Sequence, residues 1–203
     1  MTVFALATED ELSEAVGMRL LIDAGCNAQP WPLLRKGGSG YLRSKMDSWC
    51  EIATRKPIVV LTDLDNTECP VMLIRNWVGA RKLPEKLILR VAVREIESWI
   101  LADHEAFRSL IGKRGVLPPN PDLLVDPKQH LLKLVSKHAR RSIRDDLVSQ
   151  DGAIASQALG YNSRLGDFVA RVWHPEKAAM RSESLSRARN RLRDLMIRLQ
   201  PQS

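Results

Sequence analysis

The sequence is poor in the residues that build cysteine-based or histidine-based sites. Its 203 residues include only three cysteines, Cys26, Cys50 and Cys69, and four scattered histidines. Isolated cysteines form neither a disulfide framework nor a Cys-x-x-Cys zinc site. The histidine spacing likewise argues against a histidine-based metal centre.

Long apolar runs are also missing. No stretch approaches the roughly 18 to 20 consecutive apolar residues of a membrane-spanning helix, and no basic segment followed by an apolar signal core stands at the N-terminus. We therefore expect a soluble, cytoplasmic protein without a membrane partner. A hydrophobic content of 44% over 203 residues is sufficient for one core, so we expect one domain, or one domain with an appendage.

Positive charge is in excess. The 31 lysines and arginines outnumber the 24 acidic residues, which gives a net charge of +7, and the isoelectric point is about 9.6. Such a balance is compatible with nucleic acid or another polyanion as the partner. The sequence carries no signal for the oligomeric state.

A buried strand that ends in carboxylates is the central feature of the chain. Residues 57–63 form an apolar, β-branched run after Pro57, and Asp63 and Asp65 follow at its end. In open parallel sheets the functional crevice lies beyond the carboxyl ends of the strands. Because side chains alternate along a strand, we expect both aspartates on one side, an arrangement suited to Mg²⁺. The alternative is that both are only turn formers.

A first strand and helix are predicted at the N-terminus. Residues 2–7 form a short apolar run, and Thr8 with Glu11 makes a capping-box signature for a helix that extends to about Ala24 and ends at Gly25. This places Glu9 at the carboxyl end of the first strand. Its alternative role is to complement the helix dipole.

Two segments connect these strands. Residues 31–34 are expected to be extended, residues 35–40 to form a basic glycine-rich loop, and residues 41–54 to form a helix. The loop lacks the Gly-Lys-Ser/Thr ending of a phosphate-binding P-loop. After the aspartates, Pro70 can open another helix, which Gly79 is placed to end.

A further strand runs directly into a helix. Residues 87–93 are apolar, and the spacing then changes to that of a helix with Ile96, Trp99 and Ile100 on its buried face. Glu97 lies near the start of this helix, and a local ion pair with Arg94 is the alternative role for both. The alternation of strands and helices predicts an α/β fold with a parallel sheet flanked by helices.

From residue 113 the pattern is mainly helical. We expect residues 1–112 to form the α/β domain and residues 113–203 to form a helical C-terminal extension packed on it. Helices are predicted at about 162–172 and from 182 or 184 to 199. The last helix has leucines on its inner face and arginines largely outside, which suits nucleic acid, an acidic partner or only solvent: Arg187, Arg189, Arg191, Arg193 and Arg198.

The predicted topology brings four acidic residues to one edge of the sheet, because each follows a strand of the same parallel sheet: Glu9, Asp63, Asp65 and Glu97. A glutamate after the first strand and an Asp-x-Asp after a later one resembles the layout of the Toprim fold. That fold occurs in primases, topoisomerases and overcoming-lysogenization-defect nucleases.

A closer resemblance rests on the segments TEDELSEA at 8–15, VLTDLD at 60–65 and RVAVREIESWILAD at 90–103. Weaker similarity occurs at 126–128, 160–162 and 182–185. In these segments the chain is similar to the domain of unknown function 4276 family, a group of Toprim-like bacterial proteins. The resemblance implies that the aspartates hold Mg²⁺ or Mn²⁺, with Glu9 as a ligand or general acid/base. It also implies a bacterial antiphage-defence effector that works beside an ATPase.

The sequence departs from the Toprim pattern at one position. Asp10 replaces the glycine that usually follows the first glutamate, so Glu9, Glu11 and Glu14 all remain candidates for the ligand. The choice between Glu95 and Glu97 is open in the same way.

The first hypothesis is therefore a Mg²⁺-dependent or Mn²⁺-dependent nuclease that cleaves DNA or RNA. In it Glu9, Asp63 and Asp65 bind metal, Glu97 completes the catalytic set, and basic residues neutralise substrate phosphates: Arg94, Lys128, Arg140 and Arg141. The second hypothesis is a non-catalytic Toprim-like module that docks onto an ATPase or another protein. A small-nucleotide hydrolase is a third.

Overall fold

Four parallel strands form the sheet. The computed structural model of the protein describes residues 3–26, 33–35, 37–149 and 155–199. The strands are β1 (Ala5–Thr8), β2 (Leu33–Arg35), β3 (Ile58–Asp63) and β4 (Leu87–Ala92), in the order β2-β1-β3-β4. The prediction of a parallel α/β sheet is confirmed. With β1 and β3 adjacent, the ends of both strands meet at one edge of the sheet.

Helices cover both faces of this sheet. In the first part of the chain they are α1 (Glu11–Asp23), α2 (Gly38–Ser44), α3 (Met46–Arg55), α4 (Pro70–Val78), α5 (Ile96–Ala102) and α6 (His104–Ile111). Because strand side chains alternate, Val59 and Leu61 belong to one apolar cluster, and Ile58 and Val60 belong to the other. Asp63 therefore lies on the Leu61 side, where α1 and α5 pack.

The second part of the chain is helical, as predicted. It contains a 3₁₀ turn at Pro121–Leu123 and the helices α7 (Pro127–His138), α8 (Arg141–Leu147), α9 (Tyr161–Arg171), α10 (Pro175–Ala179) and α11 (Glu183–Leu199). Its apolar side chains and those of β1, β3, α1 and α5 form one continuous core. At the centre of this core the indole of Trp173 donates to the carbonyl of Trp99, with 3.1 Å between Nε1 and O. Among the described residues no helix is both long and apolar enough to cross a lipid bilayer.

The start of α1 differs from the prediction. Thr8 is the last residue of β1, and Asp10 is the cap of α1, since its carboxylate accepts from the amide of Ser13 at 2.8 Å. Both residue types are good caps, and strand pairing extends through Thr8 to exclude it from the helix. The strand predicted from residue 2 begins at Ala5, and residue 2 lies outside the described residues.

The glycine-rich segment is also more helical than predicted. α2 begins at Gly38, inside the expected loop, and Lys45 separates it from α3, where one helix over 41–54 was expected. Gly37 and Gly38 have φ of 69° and 83°, a left-handed backbone that favours glycine. Of the predicted extended segment 31–34 and loop 35–40, residues 31, 32 and 36 lie outside the described residues.

One arginine of the last helix is buried, against the prediction that it lies largely outside. Arg189 is 7% exposed, and its guanidinium donates to both carboxylate oxygens of Asp23 at 2.9 and 3.1 Å. Arg193 approaches the same carboxylate at 3.5 Å. This ion pair joins α1 to α11, so the Arg189 side of α11 faces protein and not a partner or solvent.

The Asp23–Arg189 pair gives a stability prediction. Replacing Asp23 by alanine leaves the buried guanidinium of Arg189 without its main counter-charge, and we expect a loss of about 3 kcal/mol in the free energy of unfolding. Asp167→Ala is the matched control, because Asp167 pairs with Arg171 on the exposed side of one helix. There the loss should stay below about 1 kcal/mol. Urea denaturation measures both, and equal losses would contradict the prediction.

Candidate active site

A direct contact between Glu9 and Asp63 forms the base of the candidate site. Glu9 follows β1 and Asp63 ends β3, and these two strands are neighbours. The carboxylate oxygen Oε1 of Glu9 accepts from the backbone amide of Asp63 at 2.9 Å and also from the hydroxyl of Thr62. Of the three candidates Glu9, Glu11 and Glu14, the structure therefore joins Glu9 to Asp63.

Asp63 carries the most strongly perturbed carboxylate at this edge. Its Oδ1 is buried and has no hydrogen-bond partner among the residues that the structure describes. Burial raises the pKa of the Asp63 carboxyl well above its ordinary value, and four neighbouring carboxylates raise it further: Glu97, Glu9, Asp10 and Asp65. The edge thus concentrates negative charge around one buried oxygen.

The turn after β3, not the pleat of the strand, positions Asp65. The strand ends at Asp63, Leu64 is buried, and Asp65 is exposed with a left-handed φ of 49°. The amides of Leu64 and Asp65 both donate to the carbonyl of Arg94, at 2.9 and 3.0 Å. Strand alternation, on which the sequence prediction for Asp65 relied, therefore does not reach this residue.

Arg94 holds that turn from the other side. Its Nη1 donates to the carbonyl oxygens of Asp65 and Thr67 at 3.1 and 2.8 Å. The peptide bond between Val93 and Arg94 is cis. Within the described ranges Arg94 forms no ion pair with Glu97, so the predicted local pair is absent. The guanidinium instead fixes the backbone beside Asp65.

Glu97 lies behind the edge as a buried acid. Its side chain is in the first turn of α5 and is 4% exposed, and its Oε1 accepts from the hydroxyl of Tyr161 at 2.7 Å. Burial raises the pKa of Glu97 to about 7, although the bond from Tyr161 and the charge of Lys128 lower it. A carboxyl with such a pKa can take up or release a proton near neutral pH.

Glu95 has a different task from Glu97. Its Oε2 accepts from the backbone amide of Lys128 at 2.9 Å, in the first turn of α7. Burial raises the pKa of the Glu95 carboxyl as well. Because this carboxylate binds a helix N-terminus and the charge of Glu97 acts on Asp63, Glu97 is the better candidate for chemistry.

The predicted basic residues are distributed unevenly around the site. The ammonium of Lys128 lies 5.1 Å from the ring centroid of Tyr161, next to the Glu95 and Glu97 pair. Arg140 and Arg141 stand at the start of α8 and are exposed, and Arg141 lies 3.4 Å from Asp145. Lys128 is thus the one of these three that the printed contacts join to the acidic residues.

Sequence reasoning did not assign Thr62 or Tyr161 to the site. Thr62 has the strand pattern of a core residue, and only the neighbouring strand brings Glu9 to its hydroxyl. Tyr161 is separated from Glu97 by 64 positions in the chain. No local pattern predicts such a contact, because it depends on how α9 packs against α5.

The donor set fits a hard divalent cation only in part. Among the described residues no group of three or more histidine, cysteine or acidic side chains is arranged to hold a metal ion. The unpartnered Oδ1 of Asp63 and the carboxylate of Glu9, whose two hydrogen bonds both go to Oε1, nevertheless offer two oxygen donors. Mg²⁺ commonly uses one or two carboxylates and completes its shell with water and substrate phosphates.

Comparison with known proteins does not identify the chain. No protein-family model, curated protein or solved structure matches it. The resemblance to the Toprim-like family therefore stays a prediction, and the geometry of the carboxylates is the basis for a function.

The charge on Asp63 is expected to destabilise the metal-free protein. Replacing Asp63 by asparagine removes that charge, and the amide NH₂ can donate to the surrounding carboxylates. In EDTA at pH 8 we expect the free energy of unfolding to rise by about 1 to 3 kcal/mol. Asp194→Asn, an exposed change on α11, should stay within about 0.5 kcal/mol. A destabilised Asp63→Asn protein would contradict the prediction.

The raised pKa of Glu97 predicts a pH dependence of stability. The folded protein keeps the proton up to about pH 7, whereas the unfolded chain releases it near 4.5. The folded state thus binds more protons between these values, so this residue's contribution to stability falls as pH rises and is constant above about 7.

Glu97→Gln should remove this term. In EDTA, the free energy of unfolding of the wild type minus that of the variant is expected to fall by roughly 3 kcal/mol between pH 4.5 and 8. Glu85→Gln changes an exposed glutamate and should leave the difference constant. A Glu97→Gln difference that is flat over this range would show that Glu97 is ionised in the folded protein.

Proposed function

We propose that this chain is a Toprim-like nuclease that depends on Mg²⁺ or Mn²⁺ and hydrolyses phosphodiester bonds of DNA or RNA. One observation carries the proposal. The Oδ1 of Asp63 is buried without a partner, and four carboxylates raise the pKa of its carboxyl. Such an arrangement is costly in a protein that binds nothing there, and a divalent cation would neutralise it.

Asp63 and Glu9 would hold the ion, with Asp65 as a further ligand from the turn after β3. When bound, the ion supplies positive charge to the substrate phosphate and lowers the pKa of coordinated water. Thr62 and the amide of Asp63 orient the Glu9 carboxylate by donating to its Oε1. In this role they fix the ligand as second-layer hydrogen bonds do in known metal sites.

Glu97 would serve as the proton carrier of the site. Its pKa of about 7 lets it hold a proton at neutral pH and release it during the reaction. The hydroxyl of Tyr161 donates to Oε1 and so directs the proton to the other oxygen. Glu9 is the alternative general base if it does not bind the ion.

Basic residues would then receive the substrate backbone. Lys128 lies beside the buried acids, and Arg140 and Arg141 are exposed at the start of α8. Arg94 would contribute positive charge next to Asp65 while it holds the turn. By resemblance to the domain of unknown function 4276 family, the biological role would be that of an antiphage-defence effector beside an ATPase.

The second candidate is a non-catalytic binding module that docks onto an ATPase or another protein. It is favoured by the absence, within the described residues, of a group of three or more potential metal ligands. In that case the acidic edge would be a remnant of an active site.

A cleavage assay with a matched variant distinguishes the two candidates. We expect cleavage of supercoiled, linear or single-stranded DNA, or of RNA, with Mg²⁺ or Mn²⁺, no cleavage in EDTA, and a loss of at least about 100-fold in Asp63→Asn. Asp194→Asn should retain full activity. Mg²⁺ should also raise the melting temperature of the wild type and not that of Asp63→Asn. If the ion stabilises neither protein and no nucleic acid is cleaved, the binding module is the better description.

A further inference from the structure

A second cleft lies on the outer side of β4, away from the acidic edge. β4 is an edge strand, and the cleft is bounded by β4, α4, α11 and the segment around the 3₁₀ turn. Its volume is about 460 Å³. This is within the range of roughly 300 to 1,000 Å³ that is typical of small-molecule sites.

Arg90 lies in this cleft with an incompletely bonded guanidinium. It is half-buried in β4, and its Nε is buried and has no hydrogen-bond partner among the described residues. Burial lowers the pKa of the Arg90 guanidinium, and the charges of Arg191 and Arg187 on α11 lower it further. Arginine nevertheless stays protonated in proteins. The cleft therefore holds a positive charge that is both desolvated and repelled.

The acidic residues of the cleft are bound elsewhere. Glu183 pairs with Arg187 one turn away on α11. The two oxygens of Asp122 accept from the hydroxyl of Ser182 at 2.7 Å and from the amide of Ser184 at 2.9 Å. These contacts hold the start of α11 and leave neither carboxylate bound to Arg90.

Two arginines consequently remain without counter-charge. Over the described parts of the chain, neither Arg90 nor Arg191 forms an ion pair. A buried donor without a partner and two adjacent like charges both cost stability. A ligand with two negative charges would satisfy both residues.

The rest of the cleft is apolar and partly open. Val71 of α4 is 64% exposed and Leu123 of the 3₁₀ turn is 79% exposed, and Ile74 and Val91 line the wall between them. Exposed apolar side chains beside an unpaired arginine suit a ligand with an anionic end and an apolar body.

We propose that this cleft binds a small organic phosphate monoester, with the phosphate on Arg90 beside Arg191 and Arg187 and the organic group against Val71, Ile74 and Leu123. A phosphate monoester carries up to two negative charges near neutral pH, which matches the two unpaired arginines. Its oxygens can also accept from the Nε and an Nη of one guanidinium together. The proposal does not depend on nuclease activity.

Calorimetric titration of the full chain with phenyl phosphate tests it. EDTA is present, so that the acidic edge carries no metal and repels anions. We expect phenyl phosphate to bind about tenfold more tightly than inorganic phosphate, because the ring adds apolar contact. Benzoate, with one negative charge, should bind more weakly than phenyl phosphate. No binding of phenyl phosphate, or equal binding of benzoate, would overturn the proposal.

Arg90→Met is the central variant, with Arg171→Met as its matched control. We expect Arg90→Met to weaken phenyl phosphate at least tenfold, whereas Arg171→Met on exposed α9 leaves it unchanged. Melting curves without ligand check that the variant folds. Removal of an uncompensated charge should leave the melting temperature equal or higher. Undiminished binding in a folded Arg90→Met protein would exclude Arg90 as the phosphate ligand.

Two surface variants test the apolar end without disturbing the core. Val71→Ser and Leu123→Ser should each weaken phenyl phosphate and leave inorganic phosphate unchanged, since only the ring contacts them. An equal effect on both ligands would contradict the proposed orientation. Asp63→Asn should bind phenyl phosphate as the wild type does, so the result stands or falls separately from the nuclease proposal.

Discussion

The hydrogen bond from the Asp63 amide to the Glu9 carboxylate is the contact on which the candidate site depends. It joins the ends of β1 and β3 at 2.9 Å and holds one carboxylate directly against the backbone that carries another. Parallel strands deliver such side chains to the same edge, so the repulsion is a consequence of topology. The large apolar core beneath the edge, which spans both parts of the chain, supplies the stability that offsets it.

The helical C-terminal part determines the chemistry of the acids as well as covering the core. Tyr161 of α9 donates to Glu97, and the start of α7 donates to Glu95. Without these contacts Glu97 would face water, and its pKa would return toward that of an ordinary glutamate. The α/β part thus supplies the carboxylates, and the helical part sets how readily the inner one ionises.

The sequence predicts what depends on local pattern and fails where distant elements meet. The strand at 58–63 and its terminal aspartate follow from an apolar run, and Glu9 reaches Asp63 because both follow strands of one parallel sheet. Helical phase places Arg189 outside, yet it pairs with Asp23, 166 residues earlier. Residues 8 and 10 are both good caps, and strand pairing decides between them. Such outcomes depend on tertiary packing, which local propensity does not encode.

The same sheet carries two unbalanced charges of opposite sign that do not neutralise each other. The register of β3 and β4 sets Arg90 opposite Leu61 and Ala92 opposite Asp63, so Arg90 and Asp63 stand two residues apart on adjacent strands. In the described chain they form no ion pair. A sheet optimised for stability alone would pair them or replace both by apolar residues. Keeping a carboxylate and a guanidinium unsatisfied at neighbouring positions is instead consistent with two ligands of opposite charge, a cation at the edge and an anion in the β4 cleft.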